Sequence, residues 1–183
     1  MIWLAGGVVL LLLAAVVLYN QLIRAQVTVR QAWAQVDAQL QRRHDLVPNL
    51  VATVGAYAAH ERDVFERVTR ARRAALSVTD PVTRQAAEDQ FGAALGGLLA
   101  LSERYPDLKA DENFRQLQAE LSATEDRLAF ARDFANDRVA RYRRLTDTIP
   151  GLLIARPFGF PREAMFATDD ERARHSPDVR LGG

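Results

Sequence analysis

The stretch "QRRHDLVPNLV", residues 41–51, decides how this chain folds. It lies where a helical apolar pattern ought to continue, yet Pro48 removes a backbone donor and bends or ends a helix. Asp45 is well placed as an N-cap, with Leu46, Val47 and Pro48 forming the first turn of a new helix, where a missing N–H costs little. Arg42 and Arg43 then close the preceding helix, a favourable place for cations at its negative end. On this reading "RRHD" is a corner between two helices. The alternative is one long helix kinked at Pro48.

Upstream of the stretch, "MIWLAGGVVLLLLAAVVLYNQLI" has no charged side chain before Arg24. Ile2 to Ile23 would span roughly 33 Å as a helix, close to a hydrocarbon core of about 30 Å. Trp3 and Tyr19 stand near its two ends, where amphipathic rings prefer to sit. A cleaved signal peptide fits less well: there is no basic leader, the apolar run is long, and no small-residue cleavage site follows. Residues 1–23 are therefore expected to be an uncleaved single-pass anchor in the lipid bilayer. Arg24, Arg30, Arg42 and Arg43 against the single acid Asp37 place the C-terminal domain in the cytoplasm by the positive-inside rule.

Downstream, helix formers dominate and strand signals are nearly absent. Val29, Trp33, Val36 and Leu40 form one stripe. Leu50, Val51, Val54, Tyr57, Ala58, Phe65, Val68 and Leu76 belong to a second helix that stops at Asp80-Pro81. Phe91, Leu95, Leu98, Leu99 and Leu101 mark a third helix, from about Val82 to Glu103. Its Gly92, Gly96 and Gly97, each costing about 1 kcal/mol relative to Ala in an exposed helix, argue for close helix approach. The fourth helix repeats every seven residues, through Phe114, Leu121, Leu128, Ala135, Tyr142 and Ile149, with Leu117, Thr124, Ala131, Arg138 and Leu145 as its second row. Such a repeat predicts left-handed packing at about 20°. The expected fold is all-α: an N-terminal transmembrane helix continuing into an antiparallel up-and-down four-helix bundle. Residues 24–168 would hold that bundle and an apolar coda that folds back on it to cover Phe158, Phe160 and Phe166. Residues 169–183 would be a disordered tail.

The chemistry-bearing residues argue against catalysis. Cys is absent, and basic and acidic groups nearly cancel at 24 against 23. That excludes thiolate chemistry and disfavours polyanion binding, so no nucleic-acid partner is expected. His44, Asp45, His60 and Glu61 are the only metal candidates. No Glu-x-x-His pair of the di-iron kind occurs, and adjacent His60 and Glu61 point to different faces of a helix. His175 lies in the tail. There is no nucleophile elbow and no phosphate loop. Ser77, Ser102, Ser122 and Ser176 read as caps or surface groups. No metal, cofactor or small-molecule substrate is expected. Glu61, Arg72, Glu125 and Arg132 lie on or beside apolar stripes and read first as inter-helix ion pairs that fix one packing, and second as a groove for a partner.

Together these segments resemble the LemA family of bacterial membrane-anchored helical proteins. The resemblance is carried by "YNQLI", "AWAQVDAQLQRRHDLVPNLVATVGAYAAHE", "RVTRAR", "ERYPDLKADENFRQLQAELSATEDRLAFAR" and the closing "FGF" with Phe166, and it covers most of the chain from Tyr19 to Phe166. Trp33, Arg42, Arg43, Asp45, Pro48 and Asn49 fall in its strongest block. His44 stands where the family often has Tyr and Gly55 where it often has Lys; Ala135 and Arg143 stand where it tends to show Asn. The resemblance implies a short external N-terminus, one span and a helical bundle inside. It implies no reaction. It points to a membrane scaffold or adaptor and leaves the task open. A bundle joined to its span with no evident flexible linker, and small-residue faces at Gly6-Gly7 and Gly92/Gly96, argue first for a scaffold that self-associates as a homo-oligomer and organises or shapes the membrane; the second reading is an adaptor or regulator of another membrane protein such as a quality-control protease.

Overall fold

The computed structural model describes residues 1–78, 81–163 and 165. The described residues are helical, with turns and no strands: α1 is Ile2–Tyr57, α2 Arg62–Ser77, α3 Pro81–Leu99, α4 Pro106–Ala110, α5 Glu112–Asp147 and α6 Gly151–Ala155, with a 3-10 turn at Ala100–Glu103 after α3. The expectations for Phe166 and for the tail lie outside the described residues.

The corner at Asp45 does not exist. Helix α1 runs unbroken through His44, Asp45 and Pro48 for 56 residues, a length of about 84 Å at 1.5 Å per residue. Asp45 caps nothing. It accepts a hydrogen bond from Gln41 Nε2, one turn earlier, at 2.8 Å. The chain turns instead at Ala58–Glu61, where Glu61 N donates to Ala58 O at 3.0 Å. An interior proline ordinarily costs about 3 kcal/mol, because the carbonyl four residues earlier loses its donor. That carbonyl belongs to His44, and Arg72 Nε of α2 donates to it at 2.9 Å. A neighbouring helix thus replaces the bond that Pro48 cannot make, and the helix continues.

Helix α1 meets α5 along a seam of opposed residue order, so the two run antiparallel. Val29 packs with Val139 and Tyr142. Next along the seam, Ala32, Val36 and Leu40 pack with Leu128, Ala131 and Ala135. The widest part of the core joins Val47, Leu50 and Val54 of α1 to Val68 of α2, Phe91, Leu95 and Leu98 of α3, and Phe114 and Leu121 of α5. Fully burying each large side chain there contributes about 1.5–3 kcal/mol. Ala32 takes the buried position expected of Trp33, which lies partly buried against the Val29 group.

The seven-residue repeat of α5 holds from Phe114 through Leu121, Leu128 and Ala135 to Tyr142, all of them buried, but its second row drifts. The buried residues after Leu128 are Ala131, Ala135, Val139, Tyr142 and Thr146, at spacings of three, four, four, three and four. Val139 replaces Arg138, and Ile149 is exposed. These spacings average the 3.6 residues of an α-helical turn. The glycine expectation also needs correcting. Of the three, only Gly92 is closely approached, and by a side chain: a Cβ there would lie 2.7 Å from Arg43 Nη2, while Gly96 and Gly97 face open space.

The coda does fold back, in part. Gly151 starts α6 so close to the end of α5 that a Cβ would lie 1.9 Å from the Leu145 carbonyl oxygen, leaving no room for any other residue. Tyr142 Oη donates to Pro161 O at 2.8 Å, and Arg143 Nε to Glu163 O at 2.9 Å. Phe160 packs on the Val29 group. Phe158 stays 65 % exposed.

Candidate functional site

A buried charge cluster occupies the level of α1 at which Pro48's missing donor is replaced. Arg43 and His44 point into the core and are 6 % and 2 % exposed; Glu88 of α3 meets them at 2 %. Arg43 Nη1 lies 3.5 Å from Glu88 Oε2, and its Nε lies 2.6 Å from Glu125 Oε1 of α5. His44 Nε2 lies 2.9 Å from Glu88 Oε1. Phe91, one turn after Glu88, stacks on His44 at 4.7 Å and underlies the Arg43 guanidinium at 5.0 Å. His44 Nδ1 is buried with no hydrogen-bond partner. A tautomer with the proton on Nε2 fits this best, because it gives Glu88 a donor and leaves Nδ1 as a bare acceptor, not an orphaned N–H.

Helices supply this geometry through spacing. Glu88, Phe91, Leu95 and Leu98 recur at three, four and three residues, so one acid stands at the head of the buried stripe of α3. Arg84, one turn earlier, reaches Asp37 of α1 at 2.9 Å in a largely exposed ion pair. Arg132 of α5 lies close enough to feel the cluster. Burial holds its guanidinium below the ordinary arginine range, and the positive charge of Arg43 adds to that, against the acids Asp89, Glu125 and Glu88. Two arginines facing these carboxylates make a locked, nearly balanced set. Breaking one buried member strands the others, which specifies a single packing even where the net stabilisation is small.

The sequence-derived candidates divide accordingly. Arg43, Glu125, Arg132 and Arg72 converge around His44. Pro48 belongs to the same level through the His44 carbonyl. Arg42 points outward and lies 3.9 Å from Glu120, an exposed contact worth little. Asp45 and Asn49 are exposed, and Trp33 sits on a separate layer of the seam. Glu61 is remote, at the first turn, where it takes Arg104 Nη2 at 3.0 Å and Tyr105 Oη at 3.2 Å. Glu88, His44 and Phe91 complete the cluster and were missed as a set. An acid at helical spacing from three apolar residues was the signal for Glu88.

Beside the cluster, a groove of about 510 Å³ opens between α3 and α5, lined by Arg43, Gly92, Gly96, Gln118, Ser122 and Glu125 among others. Its cation is already matched by carboxylates. Ser77 and Ser102 hydroxyls donate to the carbonyls of Ala74 and Leu99. The arrangement can lock helices and present a cleft; it does not assemble a nucleophile with a base.

The sequence pattern of the LemA family matches residues 32–181. The chain belongs to the LemA family. Among relatives of this LemA-family chain are the magnetosome protein MamQ of Magnetospirillum gryphiswaldense and magnetosome protein MamQ 2 of Paramagnetospirillum magneticum. Each is 24 % identical over 174 residues, covering 81 % of this chain and 64 % of the relative. Protein LemA of Metamycoplasma hominis is 26 % identical over 110 residues, covering 60 % of this chain and 50 % of the relative. The chain thus spans less than two thirds of the length of these relatives. Within the family match lie the charge cluster and the α1–α5 seam from Ala32 onward. The apolar start of α1 precedes it: the most apolar 18 residues there have a mean hydropathy of 2.6, none is buried, and α1 is long and apolar enough to cross a membrane.

Proposed function

We propose that this LemA-family chain is a single-pass, membrane-anchored helical scaffold, non-catalytic, that self-associates and organises or shapes the membrane. Residues 1–23 are the anchor in this reading, and residues 24–168 form an up-and-down bundle of α1, α2, α3 and α5 with its coda. The observation that carries it is the unbroken α1. One helix serves as both apolar anchor and bundle core, with no break at residues 23–24. A flexible tether would let the bundle tumble. A continuous helix fixes its angle to the span, so spans that pack side by side align their bundles, and the angle between neighbours selects rings or curved arrays. Gly6 and Gly7 have nothing within 4 Å and offer a surface on which spans can approach closely.

Arg24, Arg30, Arg42 and Arg43 after the anchor favour a cytoplasmic bundle at a bacterial inner membrane. A second reading, an adaptor or regulator of another membrane protein such as a quality-control protease, draws on the open groove beside Gly92 and Gly96. Particle sizing of the full chain in native lipid discs separates the two. The scaffold reading expects assemblies that grow with concentration and loosen when Gly6 and Gly7 are both replaced by Leu. A monodisperse monomer across the concentration range would sink it and leave the adaptor. A reporter fused after Gly183 should behave as cytoplasmic, and external labelling of that end would reverse the orientation.

A further inference from the structure

We infer that the segment from Ile149 to Phe160 is a second membrane contact: an apolar foot that enters the headgroup boundary beside the span and fixes the tilt of the bundle. Ile149, Leu153 and Phe158 are 75 %, 67 % and 65 % exposed. Single exposed apolar residues elsewhere, such as Leu76 and Phe130, are ordinary. Here three fall within ten residues of sequence.

Helix α6, "GLLIA", has no polar side chain. It turns Gly151 and Ala155 to the protein and Leu153 outward, where a helix facing water carries polar groups. The foot is also joined to the anchor. Tyr19, in the last turns of the apolar segment, meets Phe158 edge-on at 5.1 Å and Phe160 at 5.8 Å. Val16 and Val17 just before it are more than half exposed, whereas Leu22 just after it is buried. The coda therefore begins to cover α1 where the lipid-facing surface ends, and Phe158 shares the depth of Tyr19. Aromatic rings at that level favour the interface. Arg24 and Arg156 are exposed nearby in sequence, on either side of this contact, and suit anionic headgroups. Lipid is the occupant that makes one surface of the exposed valines, Tyr19, Phe158 and Leu153.

The inference rests on the anchor reading, and one experiment tests both separately. The chain has no cysteine, so single labels are readily placed by Leu11→Cys, Leu153→Cys, Phe158→Cys and, on α2, Arg70→Cys. The full chain carries a nitroxide at each site in vesicles of phosphatidylethanolamine and phosphatidylglycerol. Collision with oxygen and with a water-soluble nickel chelate reads depth. Labels at 153 and 158 should be rich in oxygen, shielded from nickel and about 5–10 Å below the headgroups. The label at 11 should lie deeper, and that at 70 in water. Nickel access at 153 and 158 equal to that at 70, with 11 deep, overturns the foot alone. Shielding of 153 and 158 from both reagents means that protein covers them, either a second copy or this chain's own C-terminal residues, and also overturns it. A water-accessible label at 11 overturns the anchor and, with it, the foot.

Discussion

Arg72 Nε donates to the main-chain oxygen of His44 at 2.9 Å, the acceptor that residue 48 would serve in an uninterrupted helix. Removing Arg72 should therefore strand a carbonyl, and Arg72→Ala should destabilise the bundle by about 1–3 kcal/mol. Pro48→Ala restores a helical N–H to the same oxygen and should be neutral or stabilising. In the Pro48→Ala background the cost of Arg72→Ala should then fall, with a coupling of about 0.5–3 kcal/mol. Urea unfolding of the four proteins, followed by helical circular dichroism, measures the cycle. An equal cost of Arg72→Ala in both backgrounds would show that the two residues do not share the carbonyl.

The same relationship explains what the sequence could and could not reveal. The apolar run before Arg24 and the first row of α5, from Phe114 to Tyr142, are local periodicities, and the structure follows them. Pro48 and Asp45 are local signals too, and they pointed to a corner. Their outcome depends on a donor 24 positions after Pro48 in the chain, which no local pattern displays. Glu88 was hidden differently. Glu125 lies beside an apolar stripe, whereas Glu88 heads its own, one turn before Phe91, and without its partners resembles an ordinary surface carboxylate. Arg43 and His44 supply its reason only once α3 lies against α1. In α5 the second row of the repeat ends at Ala131, and Val139 takes the buried position in place of Arg138.

Removing Glu88 should be the most damaging change in the cluster. Glu88→Ala leaves Arg43 and His44 buried with one carboxylate fewer, and breaking a buried pair in this way costs about 3–5 kcal/mol. His44 offers a graded companion. His44→Phe keeps a ring against Phe91 but deprives Glu88 of a donor, at about 1–3 kcal/mol. His44→Tyr brings back a hydroxyl donor and should recover part of that loss. Melting of the three variants beside the parent ranks them. A His44→Phe protein as stable as the parent would mean that the 2.9 Å contact to Glu88 contributes nothing.

Two glycines of α3 should respond with opposite signs to the same change. Gly92→Ala places a Cβ 2.7 Å from Arg43 Nη2. The guanidinium cannot swing freely away, because Glu88 and Glu125 hold it. Overpacking of this kind typically costs about 1–3 kcal/mol. Gly96→Ala meets nothing within 4 Å and should gain about 0.5–1 kcal/mol through reduced freedom of the unfolded chain. Thermal unfolding of the pair provides the comparison, and matching shifts would remove the special role of Gly92.

The start of α5 should make stability depend on acid. Asp111 is its N-cap: the carboxylate accepts from Phe114 N at 2.8 Å and from Tyr57 Oη of α1 at 2.9 Å. The Phe114 hydrogen bond first, and then that from Tyr57, hold its carboxyl below the ordinary range. A depressed folded-state value means that the charged cap stabilises fully above the unfolded carboxylate pKa of about 3.9, and that this contribution disappears as pH falls through the lower, folded value. Asp111→Asn keeps a good capping side chain but removes the charge. At neutral pH the parent should melt above the variant, and the gap should narrow below about pH 4. Tyr57→Phe removes the second hydrogen bond and brings the folded value closer to the unfolded one, so the acid-dependent loss should be smaller than in the parent and complete at a higher pH. Melting curves from pH 7 down to the acid limit follow both effects, and a constant gap between parent and Asp111→Asn at every pH would show that the cap works by shape alone.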